Sequence, residues 1–230
     1  MMLGRCKRYT VILFSVLMMC FPMALLHAQT AKHVVVIDPA HGGDDMGVVG
    51  VDKVAEKDLT LAIARELKKE LAKNADLEVV LTRDSDKTMT VAERQKYIQK
   101  AQPALVLTLH INAGFGRTSS GFEMYYPGFQ EKNEIQKKKT RKSDGGDENK
   151  YLNDTVRLSR LVQKNLDSLF PRKGRGLREA HVPLAENLEL PVLAVELGFA
   201  TNPEDNKKLA SGKTQKDIAR ALAKSIKSFF

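Results

Sequence analysis

The sequence predicts an α/β fold, a single domain whose mostly parallel, mixed central sheet carries helices on both faces. Three observations predict it. Short continuous apolar runs alternate with longer stretches of helical periodicity. No Pro/Gly/Ser-rich linker divides the 230 residues. A content of 43% hydrophobic and 28% charged residues is that of an ordinary globular chain, long enough to bury one core.

Each element has a local reason. His33-Val-Val-Val-Ile-Asp38 is an uninterrupted apolar run ending at Pro39, His41 and two glycines, which reads as a buried strand entering a tight loop. From Asp58 to Leu71, Leu59, Ile63, Leu67 and Leu71 recur at helical spacing among good helix formers. Leu77 to Thr82 is a second strand, and Thr90-Val-Ala-Glu93 resembles a capping box that opens a helix toward Ala101. Ala104 to His110 is a third buried strand, and Gly121 to Tyr126 alternates like a strand with one wetter face, a candidate antiparallel member. Gln130 to Lys150 is polar and nearly devoid of apolar residues, which predicts a loop or mobile insertion. A helix from about Thr155 to Phe170 stops at Pro171, Pro191 to Leu197 is the last central strand, and Lys216 to Phe230 is a closing helix.

The N-terminus reads as an address. Met1 to Arg8 is basic, Val11 to Leu26 is apolar apart from Ser15 and Pro22, and Ala28 offers a small residue for cleavage before Gln29. This is the three-part pattern of a signal peptide over residues 1–28, leaving 29–230 as the mature domain, periplasmic or secreted. The apolar run is short for a span of ~20 residues, so no stable membrane span is expected after cleavage. Removing Arg5, Lys7 and Arg8 brings the net charge from +9 to +6. Cations spread among acids, five Tyr, nine Phe and no Trp offer no stacking platform, so nucleic acid is not an expected partner. Both cysteines, Cys6 and Cys20, fall in the leader, which removes disulfides, thiolate chemistry and cysteine zinc sites from the mature chain.

Ligands of open α/β sheets bind beyond the carboxyl ends of the strands. His41 follows the first strand, His110 closes the third, Glu196 lies near the end of the last, and Glu56 precedes the first helix at the same edge. Two imidazoles and two carboxylates on one rim match a catalytic zinc, with three ligands, an open position for water and one carboxylate to manage protons. Calcium would not call for the histidines. The competing reading makes each His a satisfied loop residue and Glu56 a favourable charge at a helix N-terminus.

Val35-Val-Ile-Asp-Pro-Ala-His-Gly-Gly43, Glu56-Lys-Asp-Leu59, Leu81-Thr-Arg-Asp84, Leu109-His-Ile-Asn112 and Val195-Glu-Leu-Gly-Phe-Ala-Thr-Asn202 resemble, in order and spacing, the motifs of the zinc-dependent N-acetylmuramoyl-L-alanine amidases. That cell-wall family includes the bacterial cell-separation amidases and several sporulation and phage lysins. The resemblance runs from about His33 to Phe230. It implies that His41, Glu56 and His110 bind Zn²⁺ and that Glu196 is the catalytic carboxylate. The implied reaction is hydrolysis of the amide between the lactyl group of N-acetylmuramic acid and L-Ala of the peptidoglycan stem peptide. Ala40 departs from the family, which usually has Gly there; a positive φ at Ala40 would strain the loop, although Gly42 and Gly43 remain to turn it.

Three further residues keep two readings each. His181 is either an oxyanion stabiliser or a surface residue, and Arg83 and Asn112 either hold substrate carboxylates or amides or shape the rim through local hydrogen bonds. In tightly controlled relatives an insertion near residues 130–150 carries a helix that blocks the zinc until an activator protein removes it. Here the insertion lacks the apolar residues such a helix would dock with, so a flexible basic loop at the cleft mouth is expected, and an activator stays an open partner. Two other functions also stay open: a wall-binding or regulatory protein without catalysis, and a zinc peptidase cutting within the stem peptide.

Overall fold

The computed structural model describes residues 32–127 and 146–230. The leader at 1–28 and most of the 130–150 insertion lie outside the described residues. In order, the elements are β1 (His33–Pro39), α1 (Glu56–Leu71), β2 (Leu77–Leu81), α2 (Val91–Ala101), β3 (Leu105–Asn112), β4 (Phe122–Pro127), α3 (Gly146–Leu166), β5 (Gly174–Ala180), β6 (Val192–Phe199), α4 (Pro203–Leu209) and α5 (Gly212–Lys227). The six strands form one sheet in the order β2-β1-β3-β6-β4-β5. β2, β1, β3 and β6 are parallel, β4 runs antiparallel to β6, and β5 is parallel to β4. The expected α/β class, mixed sheet and antiparallel β4 are all present.

The apolar runs fold as strands because both of their faces are covered. Val35 and Ile37 of β1, Leu105, Leu107 and Leu109 of β3, and Leu193, Val195 and Leu197 of β6 pack on one face with α1, α3 and α5. The predicted stripe of α1, Leu59, Ile63, Leu67 and Leu71, is the one that is buried. On the second face, Val36, Val106, Val192 and Ala194 meet Ile98 of α2 and residues 182–185, a single 3-10 turn and its approach. This cover is narrower. Further along the same face, at His110 and Glu196, burial becomes partial and the side chains become polar.

The capping box expected at Thr90 is complete: the Glu93 amide donates to Thr90 Oγ1 and the Thr90 amide donates to Glu93 Oε2. Three features depart from the sequence reading. β5, Gly174-Arg-Gly-Leu-Arg-Glu-Ala, went unrecognised because it has one large apolar residue and two glycines, composition that suits only a sheet edge. α3 begins at Gly146, so the end of the segment expected as a loop is helical; once Leu158, Val162 and Leu166 anchor a helix in the core, adding polar turns upstream costs little. α4 is a short helix started by Asn202, whose Oδ1 accepts from the Glu204 and Asp205 amides, so the last residue of the Val195–Asn202 motif is a cap. Among the described residues no helix is long and apolar enough to cross a membrane.

The turn that leaves β1 at Pro39 to His41 is held by two buried guanidiniums. Arg83, 1% exposed, donates to the carbonyls of Pro39, Ala40, Lys57 and Ser85. Arg94 bridges the Asp38 carboxylate at 2.7 Å and the carbonyls of Pro39 and His41. Arg83 therefore shapes the rim, the second of its two readings. Replacing it by Met keeps the volume but orphans several buried carbonyls, each costing about 1 to 3 kcal/mol. Arg83→Met is expected to lose about 3 kcal/mol of stability in urea unfolding, and an unchanged midpoint would refute the role.

Candidate metal centre

The three residues expected to bind metal converge. One ligand atom from each of His41, Glu56 and His110 lies within 4.8 Å of the others. β1 delivers His41 on the turn after Pro39, the first turn of α1 delivers Glu56, and β3 delivers His110. Glu56 is 2% exposed. Its Oε2 sits 3.2 Å from His41 Nε2 and accepts from the Val48 amide; its Oε1 sits 3.3 Å from His110 Nδ1 and accepts from the Ile111 amide. The imidazole rings lie edge to face, 5.8 Å apart.

The far nitrogen of each ring is also engaged. His41 Nδ1 shares a 2.8 Å hydrogen bond with Asp45 Oδ2. His110 Nε2 shares one of 3.1 Å with Thr108 Oγ1, and Thr108 Oγ1 donates to Asp38 Oδ2 at 3.0 Å. Such partners set the tautomer and aim the other nitrogen. His41 is thus directed through Nε2 and His110 through Nδ1, both toward Glu56. Two imidazole nitrogens and one oriented carboxylate form a donor set for a borderline transition metal and fit zinc.

The backbone strain that the sequence suggested for Ala40 falls on its neighbour. Ala40 is not among the residues with positive φ, whereas His41 (φ 61), Gly42 and Gly43 are. Arg94, donating to the His41 carbonyl at 2.5 Å, holds that conformation. Gly47 has φ +62, and a Cβ there would stand 2.6 Å from Glu56 Oε2 and 2.6 Å from His41 Cδ2. Backbone closes the site on that side.

The charges follow from this geometry. The hydrogen bond to Glu56 raises His41 to about 9 against the opposing effect of burial, with Asp45 adding. Burial pushes the Glu56 carboxyl up, but hydrogen bonds from His110, His41, Val48 and Ile111 outweigh it and hold it at about 2. Burial works against protonation of His110, yet Glu56 and Glu196 raise it. Glu196 is raised to about 7, first by burial, with Glu56 and Glu123 adding and His110 opposing. Glu196 pairs in register with His110 on β3, and its Oε2 is buried with no hydrogen-bond partner among the described residues.

The other candidates separate from this group. Asn112 donates to Glu123 Oε2 and accepts from the Ala113 amide, so it shapes the rim. His181 is exposed and shares a 2.7 Å hydrogen bond with Glu186. Asp45, Thr108, Gly47 and Glu123 went unnoticed in the sequence. Thr108 carried a usable signal, since two residues before His110 on a strand it must share that residue's face.

Fold and site together define a class: an α/β protein with a histidine–glutamate–histidine group that could hold a metal ion at the carboxyl ends of parallel strands. Within it, residues 35–228 match the family profile described as N-acetylmuramoyl-L-alanine amidase. The chain is 31% identical over 207 residues to the uncharacterised protein YqiI of Bacillus subtilis, covering 88% of this chain and 89% of that one. It is 28% identical to the germination-specific N-acetylmuramoyl-L-alanine amidase of the same organism, covering 86% and 79%. The crystal structure of an N-acetylmuramoyl-L-alanine amidase from Clostridium difficile superposes with a TM-score of 0.72 at 27% identity, over 87% and 97% of the two chains. The chain belongs to the N-acetylmuramoyl-L-alanine amidase family and is a peptidoglycan-hydrolysing enzyme of it.

Two expectations follow. Gly47→Ala, which drives a methyl into Glu56 and His41, should weaken zinc binding at this group at least about tenfold in a calorimetric titration, the scale of a lost supporting contact; unchanged affinity would show the loop yields freely. The second concerns pH. His41 (6.5 unfolded, about 9 folded) and Glu196 (4.5 unfolded, about 7 folded) both hold protons more tightly when folded. Their stabilisation is complete below the unfolded values and is lost as pH rises through the folded ones. Glu56, depressed to about 2, stabilises above 4.5 and fails only in strong acid. The metal-free protein should therefore lose up to about 5 kcal/mol of stability between pH 5 and 9, read as a falling Tm, and a flat profile would contradict these shifts.

Proposed function

We propose that the chain cleaves the N-acetylmuramoyl–L-alanine amide with a zinc ion held by His41 Nε2, Glu56 and His110 Nδ1, and with Glu196 as the catalytic carboxylate. The observation that carries the reading is the buried, unpartnered Oε2 of Glu196 on the strand beside His110. Zinc bound there would supply Lewis acidity, lowering the pKa of a water toward ~7 and polarising a carbonyl.

The remaining work falls to the chain. Asp45 and Thr108 hold the two imidazoles so that little ordering is left when the metal arrives. Glu56 stays ionised across the working range and leaves proton traffic to another group. Glu196 accepts the proton of the attacking water at Oε2 and returns it to the leaving nitrogen of L-Ala. A carboxyl near 7 suits both directions of that transfer at neutral pH. The reading includes export: the substrate lies outside the cytoplasmic membrane, and residues 1–28 are the leader that would take a catalytic domain of 29–230 there.

Glu196→Ala should retain zinc in elemental analysis and lose turnover by about 10²-fold or more, whereas His41→Ala and His110→Ala should lose both. Mass spectrometry of digested muropeptides reads the bond that is cut: release of the intact stem peptide supports the proposal, a shortened peptide would mean a stem peptidase, and an active Glu196→Ala protein would sink the assignment.

A further inference from the structure

The polar side chains at the metal centre belong to a row that continues past it. Glu196 is in register with His110 on β3 and with Glu123 on β4, so the three project from the same face at one level. β5, the next strand, reaches into this row with two arginines. Arg175 Nε lies 2.5 Å from Glu123 Oε1, and Arg178 NH1 lies 3.9 Å from the same oxygen.

Glu123 is 4% exposed, and its other oxygen accepts from Asn112 Nδ2 and from the Tyr125 hydroxyl. One buried carboxylate therefore faces two guanidiniums, which leaves a surplus positive charge at the outer end of the row. The two arginines are not equivalent. Arg175 is fixed by its short contact and by the Phe199 ring, 5.1 Å from its guanidinium carbon. Arg178 has a 54% exposed side chain, and 3.9 Å is an ion-pair distance too long for a hydrogen bond. Among the described residues its guanidinium, with five donors, makes no hydrogen bond.

The direction of the row meets the direction of the reaction. If Glu196 returns its proton to the leaving nitrogen, the leaving peptide starts beside Glu196 and can run away from His110 over β4. Neighbouring strands are about 4.8 Å apart, and an extended residue spans about 3.5 Å. Glu123 stands one strand spacing beyond Glu196, and Arg178, 3.9 Å from Glu123, thus lies about 9 Å from the leaving nitrogen, within reach of a carboxylate carried by the second residue of an extended peptide.

We propose that Arg178 is a specificity residue whose guanidinium binds a carboxylate carried by the second residue of the leaving peptide, a bidentate pairing for which its planar fork is suited. The proposal rests on the amidase reading and on the role given to Glu196.

The test uses the zinc-loaded protein and two synthetic N-acetylmuramoyl dipeptides, L-Ala followed by a glutamate whose free carboxylate is either kept or converted to the amide. The wild type should prefer the acidic substrate. Arg178→Gln should lower the acid-to-amide ratio of kcat/KM about tenfold, mainly through KM, the size expected for one charged hydrogen-bonded contact. Arg178→Lys should restore part of the ratio, because charge returns without the fork. No preference in the wild type, or an equal loss on both substrates, would overturn the assignment of Arg178 alone. Failure of the wild type to release peptide from either substrate would overturn the amidase mechanism itself, a separate and recognisable result.

Discussion

The carboxylate of Glu56 is the constraint around which the molecule is arranged. An ionised group this deeply buried is tolerated only when its lone pairs are satisfied and its charge is matched. Here Val48 from the loop after β1, Ile111 from β3, and the two imidazoles divide its two oxygens between them. Meeting that demand ties together the three segments that carry His41, Glu56 and His110. Held at about 2, Glu56 stays charged, whereas Glu196, raised to about 7, is the carboxyl that exchanges a proton near neutral pH.

Around it the protein uses buried cations as struts. Arg83 and Arg94 collect the carbonyls of Pro39, Ala40, His41, Lys57 and Ser85, groups that a loop pressed against a sheet would otherwise leave without partners. Arg94 also neutralises Asp38, which in turn steadies Thr108 and through it His110. Packing, loop shape and the orientation of the imidazoles are thus one network. The left-handed backbone of His41 persists because its surroundings leave no alternative.

The two faces of the sheet divide the labour. One is closed by α1, α3 and α5 and supplies the core. The other is covered over only part of its length by α2 and the 182–185 turn, and the uncovered part presents His110, Glu196 and Glu123 from three neighbouring strands in register. The His41, Glu56 and His110 group, the buried Glu196 and the arginines of β5 thus share a single rim.

Much of this was legible in the sequence. The strands β1, β3 and β6 declared themselves as unbroken apolar runs, α1 by its Leu59-Ile63-Leu67-Leu71 spacing and α2 by its capping box, because these signals are local. His41, Glu56, His110 and Glu196 could be placed on one rim because parallel strands end on the same side. What stayed hidden depends on distance in the chain. β5 has no apolar pattern of its own and exists through pairing with β4; α3 extends to Gly146 because its far end is anchored; Asp45, Thr108 and Gly47 matter through the atoms they meet. The ring nitrogens aimed at Glu56, the pairing of Arg175 and Arg178 with a buried Glu123, and the unpartnered Glu196 Oε2 were decided by tertiary structure alone, because register between strands and the burial of a charge are properties of neighbours that sequence order does not specify.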